Sequence, residues 1–444
     1  MARSKAALST GARLADYLTV GFLAMNCPLD KVREALVNNA AESKRRRGLP
    51  HEVLVYFVMA MCLYANIAYE EVLRLVIEGL RQLVGDDEMF RAVVTKGAIS
   101  QARGQVGAAP LRQLYQSQVV PHGPVGMLGV WFAGLRVMAI DGSSLDMPDE
   151  TANAKHFGYP GASRGDSAFP QLRFVAMAEC GTHTLCYANP GPYSAGELAL
   201  AEAVIDRADE SMLVTADRNF YSHVFWQRAI RTGAKLLFRV KRNLRLPREK
   251  ELTDGSYLTT MYANEKDRRH KVNGTVARVI EYVLDGIPDP EPSYRLITNC
   301  FDIEAAPAIE LAALYHRRWT IEQTFDEFKT HLADRDVVLR SKRPALVEQE
   351  FYALLLAHAA IRRLMTQAAA TTDQAAEDLS FIHAVRVLKR RLPASAAISP
   401  CAAPILAEQH TPRTCLRARR HQSRQAQSPR RKTKDEQLQT SQTW

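Results

Sequence analysis

A series of short apolar segments between residues 135 and 299 constrains the fold of this chain more than any other feature. Each has the length and composition of a buried β-strand. Helical patterns separate some of them, at 194–208, where Ser194 and Glu197 form a candidate capping box, and at 222–232. The candidate strands are LRVMAID at 135–141, QLRFVAMAE at 171–179, THTLCYA at 182–188, MLVTAD at 212–217, KLLFRVK at 235–241 and YRLITN at 294–299.

The order of these segments predicts an α/β fold. The elements follow one another as strand, strand, strand, helix, strand, helix, insertion, strand and helix. This is the order of a ribonuclease-H-like domain. We therefore expect such a catalytic core at residues 130–345. Alternating segments with Asp-Gly and Pro-rich turns predict a β-rich insertion within it at 242–293.

The N-terminal part of the chain, residues 1–125, has the patterns of an all-helical domain. Helices are predicted at 11–26, 29–42, 50–66, 68–84 and 87–95. Residues 96–118 resemble a helix-turn-helix, and the alternative is an ordinary helical hairpin with a polar face. Polar side chains of the kinds that reach DNA phosphates and base edges lie in this segment: Ser100, Gln101, Arg103, Arg112 and Gln113. Removing 1–125 is expected to abolish binding to a specific DNA site while leaving a metal site in the core.

The C-terminal part divides into a helical region at 346–398 and a basic tail at 399–444. Within the tail, residues 411–444 contain nine Lys or Arg against two acidic residues, which is +7 of the net charge of +10. With few large apolar residues, the tail is expected to be disordered. The bulk charge is therefore weak evidence for a basic catalytic face, and only local basic clusters such as Lys241–Arg248 are informative.

Cysteine content and hydropathy exclude several classes. The seven cysteines are odd in number, widely spread and without a Cys-x2-Cys pair, which argues against a disulfide framework and a zinc knuckle. The longest apolar run, at 53–65, is shorter than the ~20 residues of a membrane-spanning helix. We expect a cytoplasmic protein with no membrane segment.

One segment, YHRRWTIEQTFDEFK at 315–329, combines a tyrosine, two cationic residues and a carboxylate on one side. If it forms a single helix, Tyr315, Arg318, Glu322 and Lys329 share an arc of roughly 60° at the border of an apolar stripe. An ordinary i,i+4 ion pair between Arg318 and Glu322 is the alternative.

Two aspartates complete a set of three carboxylates with Glu322. Asp141 and Asp217 end predicted strands, and the carboxyl ends of neighbouring parallel strands meet at one edge of a sheet. Carboxylates there suit hard divalent cations, here Mg²⁺ or Mn²⁺, and two such ions can activate a water and stabilise the leaving oxygen of a phosphodiester. Strand-terminating turn residues are the alternative, and Asp146 and Asp149 are rival candidates.

These residues resemble the DDE transposases of bacterial insertion sequences, most closely the insertion sequence 4 family, over roughly residues 10–395. The motif Tyr-x2-Arg-x3-Glu-x6-Lys is satisfied by Tyr315, Arg318, Glu322 and Lys329. The segment DRNFYS at 217–222 and the pair Asp141-Gly142 match two further elements.

The resemblance implies that Asp141, Asp217 and Glu322 are the catalytic metal ligands. It also implies that Tyr315, Arg318 and Lys329 contact DNA. The activity it implies is metal-dependent cleavage at insertion-element ends and strand transfer into target DNA. Expected partners are double-stranded DNA at inverted repeats and at the target, and a second copy in a synaptic homodimer near the bacterial nucleoid. Trp319 is a candidate for stacking on DNA or for core packing.

Two other functions fit the same residues. One is a ribonuclease-H-like nuclease without strand transfer, which the large helical N-terminal region disfavours. The other is a catalytically inactive DNA-binding derivative, which the intact set of three carboxylates disfavours.

Overall fold

A computed structural model describes most of the chain. The described residues are 21–43, 49–84, 94–162, 165–166, 169–283, 293–318, 320–332, 339–371 and 374–390. The basic tail at 399–444, Trp319, and most of the predicted helices at 11–26 and 87–95 lie outside these residues.

A single large sheet organises the described part of the chain. Its strands are β1 (Trp131–Phe132), β2 (Leu135–Asp146), β5 (Gln171–Glu179), β6 (Thr184–Pro192), β7 (Met212–Ala216), β8 (Lys235–Arg239), β9 (Lys250–Glu251), β10 (Tyr257–Met261), β11 (Thr275–Tyr282) and β12 (Tyr294–Thr298). They lie in the order β6-β5-β2-β7-β8-β12-β11-β10-β9, with β1 paired to β2. A separate short hairpin joins β3 (Gly161–Ala162) to β4 (Gly165–Asp166).

The directions of the strands confirm the predicted ribonuclease-H-like fold. β5 is antiparallel to both β6 and β2, whereas β2, β7 and β8 are parallel neighbours. The predicted β-rich insertion contributes β9, β10 and β11, which extend this sheet rather than forming a separate one. β12 pairs antiparallel with both β8 and β11, so the insertion covers what would otherwise be an exposed strand edge.

β2 is longer than the sequence predicts. The apolar pattern ends at Asp141, but the strand continues to Asp146 because β5 pairs with it over Met138–Asp146. Its parallel pairing with β7 stops one residue before Asp141, at Ile140. Asp141 therefore marks where β2 and β7 separate, and Asp146 ends the strand, accepting a hydrogen bond from Gln171 at 2.6 Å.

The helix after β6 begins later than the capping box predicts. It spans Glu197–Ile205, with Gly196 at the N-cap and no side-chain capping bond. β6 continues to Pro192, and the amide of Ala195 donates to the Pro192 carbonyl at 2.9 Å, so the residues around Ser194 form the turn out of the strand.

Some of the helices pack on the two faces of the sheet, and others pack mainly on one another. The helices are α1 (Leu29–Asn38), α2 (His51–Leu63), α3 (Tyr69–Val84), α4 (Lys96–Val106), α5 (Ala109–Gln118), α6 (Thr151–Phe157), α7 (Glu197–Ile205), α8 (His223–Arg231), α9 (Glu265–His270), α10 (Ala308–Arg317), α11 (Thr320–Asp326), α12 (Pro344–Ala370) and α13 (Phe381–Arg390). Side chains alternate along β2, so Met138 and Ile140 face α7 and α8. Val137, Ala139 and Leu145 face the other core.

The second core joins both ends of the chain. α12 packs against α2 and α5, and its buried side chains share one cluster with those of α2. Arg103 on α4, a candidate for DNA contact from the sequence, is 2% exposed and donates to Gln349 Oε1 at 2.9 Å and to Ser341 Oγ at 3.0 Å. The N-terminal helices are therefore built into the half of the molecule that contains the large sheet, and Arg103 serves that packing.

Two expectations from composition can be compared with the described residues. In them, no helix is both long enough and apolar enough to cross a membrane. The described cysteines, Cys27, Cys62, Cys180, Cys186 and Cys300, are buried free thiols.

Candidate active site

Asp141 lies on β2 on the same side of the sheet as α12. Its Oδ1 accepts the backbone amide of Gly142 at 2.8 Å, and its Oδ2 accepts Nη1 of Arg318 at 3.0 Å. Burial raises the pKa of Asp141, Arg318 opposes that rise, and the charge of Asp217 adds to it. The carboxylate is thus a partly buried group with one cationic partner and one anionic neighbour.

Asp217 follows β7 directly, at the carboxyl edge of the parallel strands. Its side chain accepts the backbone amide of Arg218 at 2.5 Å and begins a single 3₁₀ turn, Arg218–Phe220. Ser222 then caps α8 through the amide of Phe225 at 3.1 Å. In the parallel pairing of β2 and β7, Ile140 lies opposite Ala216. The next residue on each strand is an aspartate, so Asp141 and Asp217 lie at the same edge, as the sequence predicts.

The segment 315–329 is not the single helix that the sequence predicts. α10 ends at Arg317, α11 runs over Thr320–Asp326, and a π-helical turn follows at Glu327–His331. At the junction the amide of Arg318 donates to Tyr315 O and that of Ile321 to Arg318 O, both at 3.0 Å, which are the tighter i→i+3 bonds. The calculated 60° arc therefore does not describe how the four side chains meet.

Tyr315 and Arg318 lie beneath the carboxylates. They are 5% and 7% exposed, and the guanidinium lies 5.7 Å from the centre of the tyrosine ring. The Tyr315 hydroxyl donates to the carbonyl of Ala216, the residue before Asp217, at 3.5 Å. Burial raises the pKa of Tyr315 to about 12, so the hydroxyl keeps its proton. Together these two side chains connect α10 to both aspartate-bearing strands.

Glu322 is the exposed member of the set. Partial burial raises the pKa of its carboxyl, Arg318 lowers it, and the charges of Asp141 and Asp217 raise it further. Three carboxylates that repel one another around one arginine therefore face the same edge of the sheet.

Lys329 reaches this edge from the π-helical turn. Its Nζ donates to Ser143 Oγ at 3.2 Å. Ser143 follows Asp141 by two residues on β2, so both side chains point to the same face of the strand.

The donor set suits a divalent cation, because carboxylate oxygens are the ligands that Mg²⁺ and Mn²⁺ prefer. Within the described ranges, no three His, Cys, Asp or Glu side chains are close enough to form a complete cage. One oxygen of Asp141 is paired with Arg318. The site is an anionic edge of the sheet with Arg318 as its counter-ion.

A basic cavity lies beside Asp217, with a volume of about 270 Å³. Its charged and polar lining is Arg218, Asn219, Arg239, Lys241, Arg242, Ser293 and Arg295. The cluster around Lys241 is visible in the sequence, but its place at the site is not. β8 is parallel to β7, so its carboxyl end delivers Arg239 to the edge that bears Asp217.

Comparison with known proteins decides the family. Residues 133–359, more than half of the chain, match the family described as transposase DDE domain. The chain belongs to the DDE transposases. Residues 17–116 match the family described as insertion element 4 transposase N-terminal, which places it in the insertion sequence 4 family. This transposase is thus an enzyme that acts on DNA, and its family depends on divalent metal ions.

Two curated relatives come from Escherichia coli (strain K12). The chain is 25% identical over 363 residues to transposase InsG for insertion sequence element IS4, covering 76% of this chain and 75% of InsG. It is 28% identical over 200 residues to putative transposase InsZ, covering 45% of this chain and 64% of InsZ. A solved piggyBac transposase synaptic complex with hairpin DNA is similar at a TM-score of 0.42 and 10% identity, covering 94% and 87% of the chains, which is too weak for any conclusion.

The expectations of a transposase and of an enzyme acting on DNA are confirmed by these relationships. They do not favour the two alternatives, a nuclease without strand transfer and an inactive derivative.

Proposed function

We propose that Asp141, Asp217 and Glu322 are the catalytic carboxylates of this transposase and hold two divalent cations, Mg²⁺ or Mn²⁺. The supporting observation is geometric: Asp141 and Asp217 directly follow the paired stretch of β2 and β7, and Arg318, four residues before Glu322, bonds to Asp141. Bound divalent ions would supply an activated water or hydroxyl and stabilise the leaving oxygen of a phosphodiester.

The side chains around the carboxylates have separate tasks in this proposal. Arg318 orients Asp141 through the bond to Oδ2, and Tyr315 supports Arg318 from below. Lys329, half-buried at the same edge, contributes an ammonium group to a DNA phosphate near the cut. Tyr315 and Arg318, which the resemblance implies contact DNA, are only 5% and 7% exposed, so in this proposal they support the DNA contact indirectly, through Asp141 and the strand that precedes Asp217.

The DNA backbone continues from the carboxylates across the basic cavity beside Asp217. β8 pairs directly with β7, and paired strands lie about 4.8 Å apart. Cations at that spacing beside the cut suit the next phosphates of a bound strand.

The substrates we propose are the inverted-repeat ends of an insertion element and the target DNA. Cleavage frees a 3′-hydroxyl at each end, and that hydroxyl attacks the target in line. Two ends require two active sites, so a homodimer is the proposed synaptic unit. The proposed location is the bacterial cytoplasm, at the nucleoid.

The proposed division of labour follows the predicted domains. Residues 1–125 recognise the element ends, 130–345 cut and join DNA, and 346–398 support both through α12. In this division the insertion at 242–293 belongs to the catalytic part.

Replacing Glu322 tests the carboxylate assignment. Glu322→Gln keeps the size of the side chain but removes the charge, so Mg²⁺-dependent cleavage of DNA bearing the element's inverted repeats should fall to background. Calorimetric titration with Mn²⁺ should show weaker binding. Glu310→Gln, an exposed carboxylate on α10, is the matched control and should cleave normally. Full cleavage by Glu322→Gln would refute the assignment.

Lys329→Ala tests the phosphate contact. Loss of one phosphate contact should make the plot of the logarithm of the DNA-binding constant against the logarithm of salt concentration less steep, by about 0.9. Lys266→Ala, an exposed lysine on α9, is the control. An unchanged slope for Lys329→Ala would remove Lys329 from the DNA surface.

A further inference from the structure

The turn that carries Lys329 has an unusual backbone. The amide of Leu332 donates to the carbonyl of Glu327 at 3.1 Å, a bond that spans five residues instead of four. Such π-helical turns are rare and are often found at functional sites. This turn follows Glu322 and contains Lys329. It therefore changes where Lys329 points relative to the Glu322 carboxylate.

A buried ion pair holds the start of this turn. Glu327 is 3% exposed and pairs with Arg362 of α12, which is fully buried. Nη2 of Arg362 also lies 2.6 Å from Nδ1 of His183, in the β5–β6 connection. Charges this deep are costly unless paired, so Glu327 is held in one position.

The next residue adds a second constraint on the same turn. Phe328 is fully buried and packs edge-on against Phe174 of β5, with ring centres 5.8 Å apart, and against Phe351 of α12. Two consecutive side chains thus point inward. The wider turn rotates the residues after Glu327 relative to Glu322, by up to about 100° compared with a regular helix.

The buried ion pair and the packing of Phe328 together set the position of Lys329. Its Nζ reaches Ser143 Oγ on the face of β2 that bears Asp141. Neither Glu327 nor Arg362 belongs to the motif residues, and both are buried in the core rather than exposed at the carboxylate edge. Their pairing acts on that edge through the backbone of the turn.

We propose that Glu327 is a positioning residue whose ion pair with Arg362 keeps the π-helical turn in place, so that Lys329 meets a DNA phosphodiester beside the cut. This inference rests on the proposed phosphate contact of Lys329.

A double-mutant cycle tests it. Glu327→Gln and Lys329→Ala are made singly and together, and cleavage of inverted-repeat DNA is measured with the salt dependence of DNA binding. Misplacing a group that orients substrate lowers rates by up to about 100-fold. We expect the double variant to cleave no more slowly than Lys329→Ala. We also expect Glu327→Gln to lower the salt slope by about 0.9, as loss of one phosphate contact does.

Two further variants separate positioning from stability. Glu350 is another buried carboxylate, bonded to the Ser341 hydroxyl at 2.5 Å and the Arg340 amide at 2.9 Å. Glu350→Gln should leave the salt slope unchanged. If Glu327→Gln fails to fold, Glu327→Met with Arg362→Met replaces the pair by apolar side chains, an exchange that folded proteins commonly tolerate. That variant should fold and show the same reduced slope.

The outcomes distinguish the two proposals. If the losses of Glu327→Gln and Lys329→Ala multiply, or if a folded Glu327 variant keeps the full salt slope, the positioning role is wrong and the contact of Lys329 stands. If Lys329→Ala alone changes neither cleavage nor salt slope, the phosphate contact is wrong, and the positioning role fails with it.

Discussion

At the scale of single residues, Arg318 is the centre of the site. Its bond to Asp141 joins residues 177 positions apart, and its charge counteracts the burial that raises the pKa of both Asp141 and Glu322. The sequence motif shows Arg318 beside Glu322, but not that its nearest carboxylate belongs to a distant strand. The side chain is therefore the counter-ion of Asp141.

Arg318→Ala should therefore change the pH dependence of cleavage. Without the cation the pKa of Asp141 rises further, so its ionised form requires a higher pH and the acid limb of the rate profile moves upward. The maximal rate should also fall by up to about 100-fold, because Asp141 loses its orienting partner. Arg317→Ala, at the exposed last residue of α10, should leave the limb in place. A limb that moves to lower pH would contradict this role.

His358 offers a test of pH-dependent stability. It is fully buried on α12 against Phe328 and Phe381, and burial lowers its pKa to about 3. The unfolded chain takes up a proton near pH 6.5 and the folded one does not. The free energy of unfolding should therefore fall by about 1.4 kcal/mol for each unit from pH 6.5 down to about 3.

His358→Leu should remove that part of the slope in urea unfolding series at several pH values. His156→Leu, at an exposed position on α6, is the control. The same slope in His358→Leu as in the parent protein would show that acid sensitivity comes from other groups.

At the scale of elements, the positions at which strands and helices end determine where the site residues lie. The apolar run of β2 stops at Asp141, yet pairing with β5 extends the strand to Asp146. The helix predicted across 315–329 divides at Arg318 and widens at Glu327. In both cases contacts with distant segments override the local pattern, which is why periodicity located the residues but not their backbone.

Ser222→Ala tests one such end. Ser222 caps α8 just after the loop that bears Asp217, and loss of an N-cap bond costs about 1 kcal/mol of folding free energy. Thr95→Ala, which removes a longer cap bond of 3.4 Å on α4, should cost less. Urea unfolding measures both, and an equal or larger loss for Thr95→Ala would contradict the ranking.

At the scale of the whole molecule, one core connects the N-terminal helices to the catalytic half. Every residue of α2 except Glu52 is buried, and α12 is its main neighbour. The sequence suggested that residues 1–125 could be removed while the metal site stayed intact. The shared core argues against that, because removal would expose the apolar side of α12.

We expect a single cooperative unfolding transition in differential scanning calorimetry for the described parts of both halves. A chain that begins at residue 126 should fail to fold into a stable, metal-binding unit. Two separate transitions, or a folded truncated chain that binds Mn²⁺, would show that the halves are independent.

The order of apolar segments by itself determined the ribonuclease-H-like sheet, because strand length and alternation are local properties of the chain. Spacing and strand ends likewise identified Asp141, Asp217 and Glu322 as candidates. Only the tertiary structure decided that Arg318 pairs with Asp141, that Arg103 is buried, and that Glu327 and Arg362 support the turn bearing Lys329. Those are contacts between residues 35 to 246 positions apart, and their energies depend on burial, which no local pattern contains.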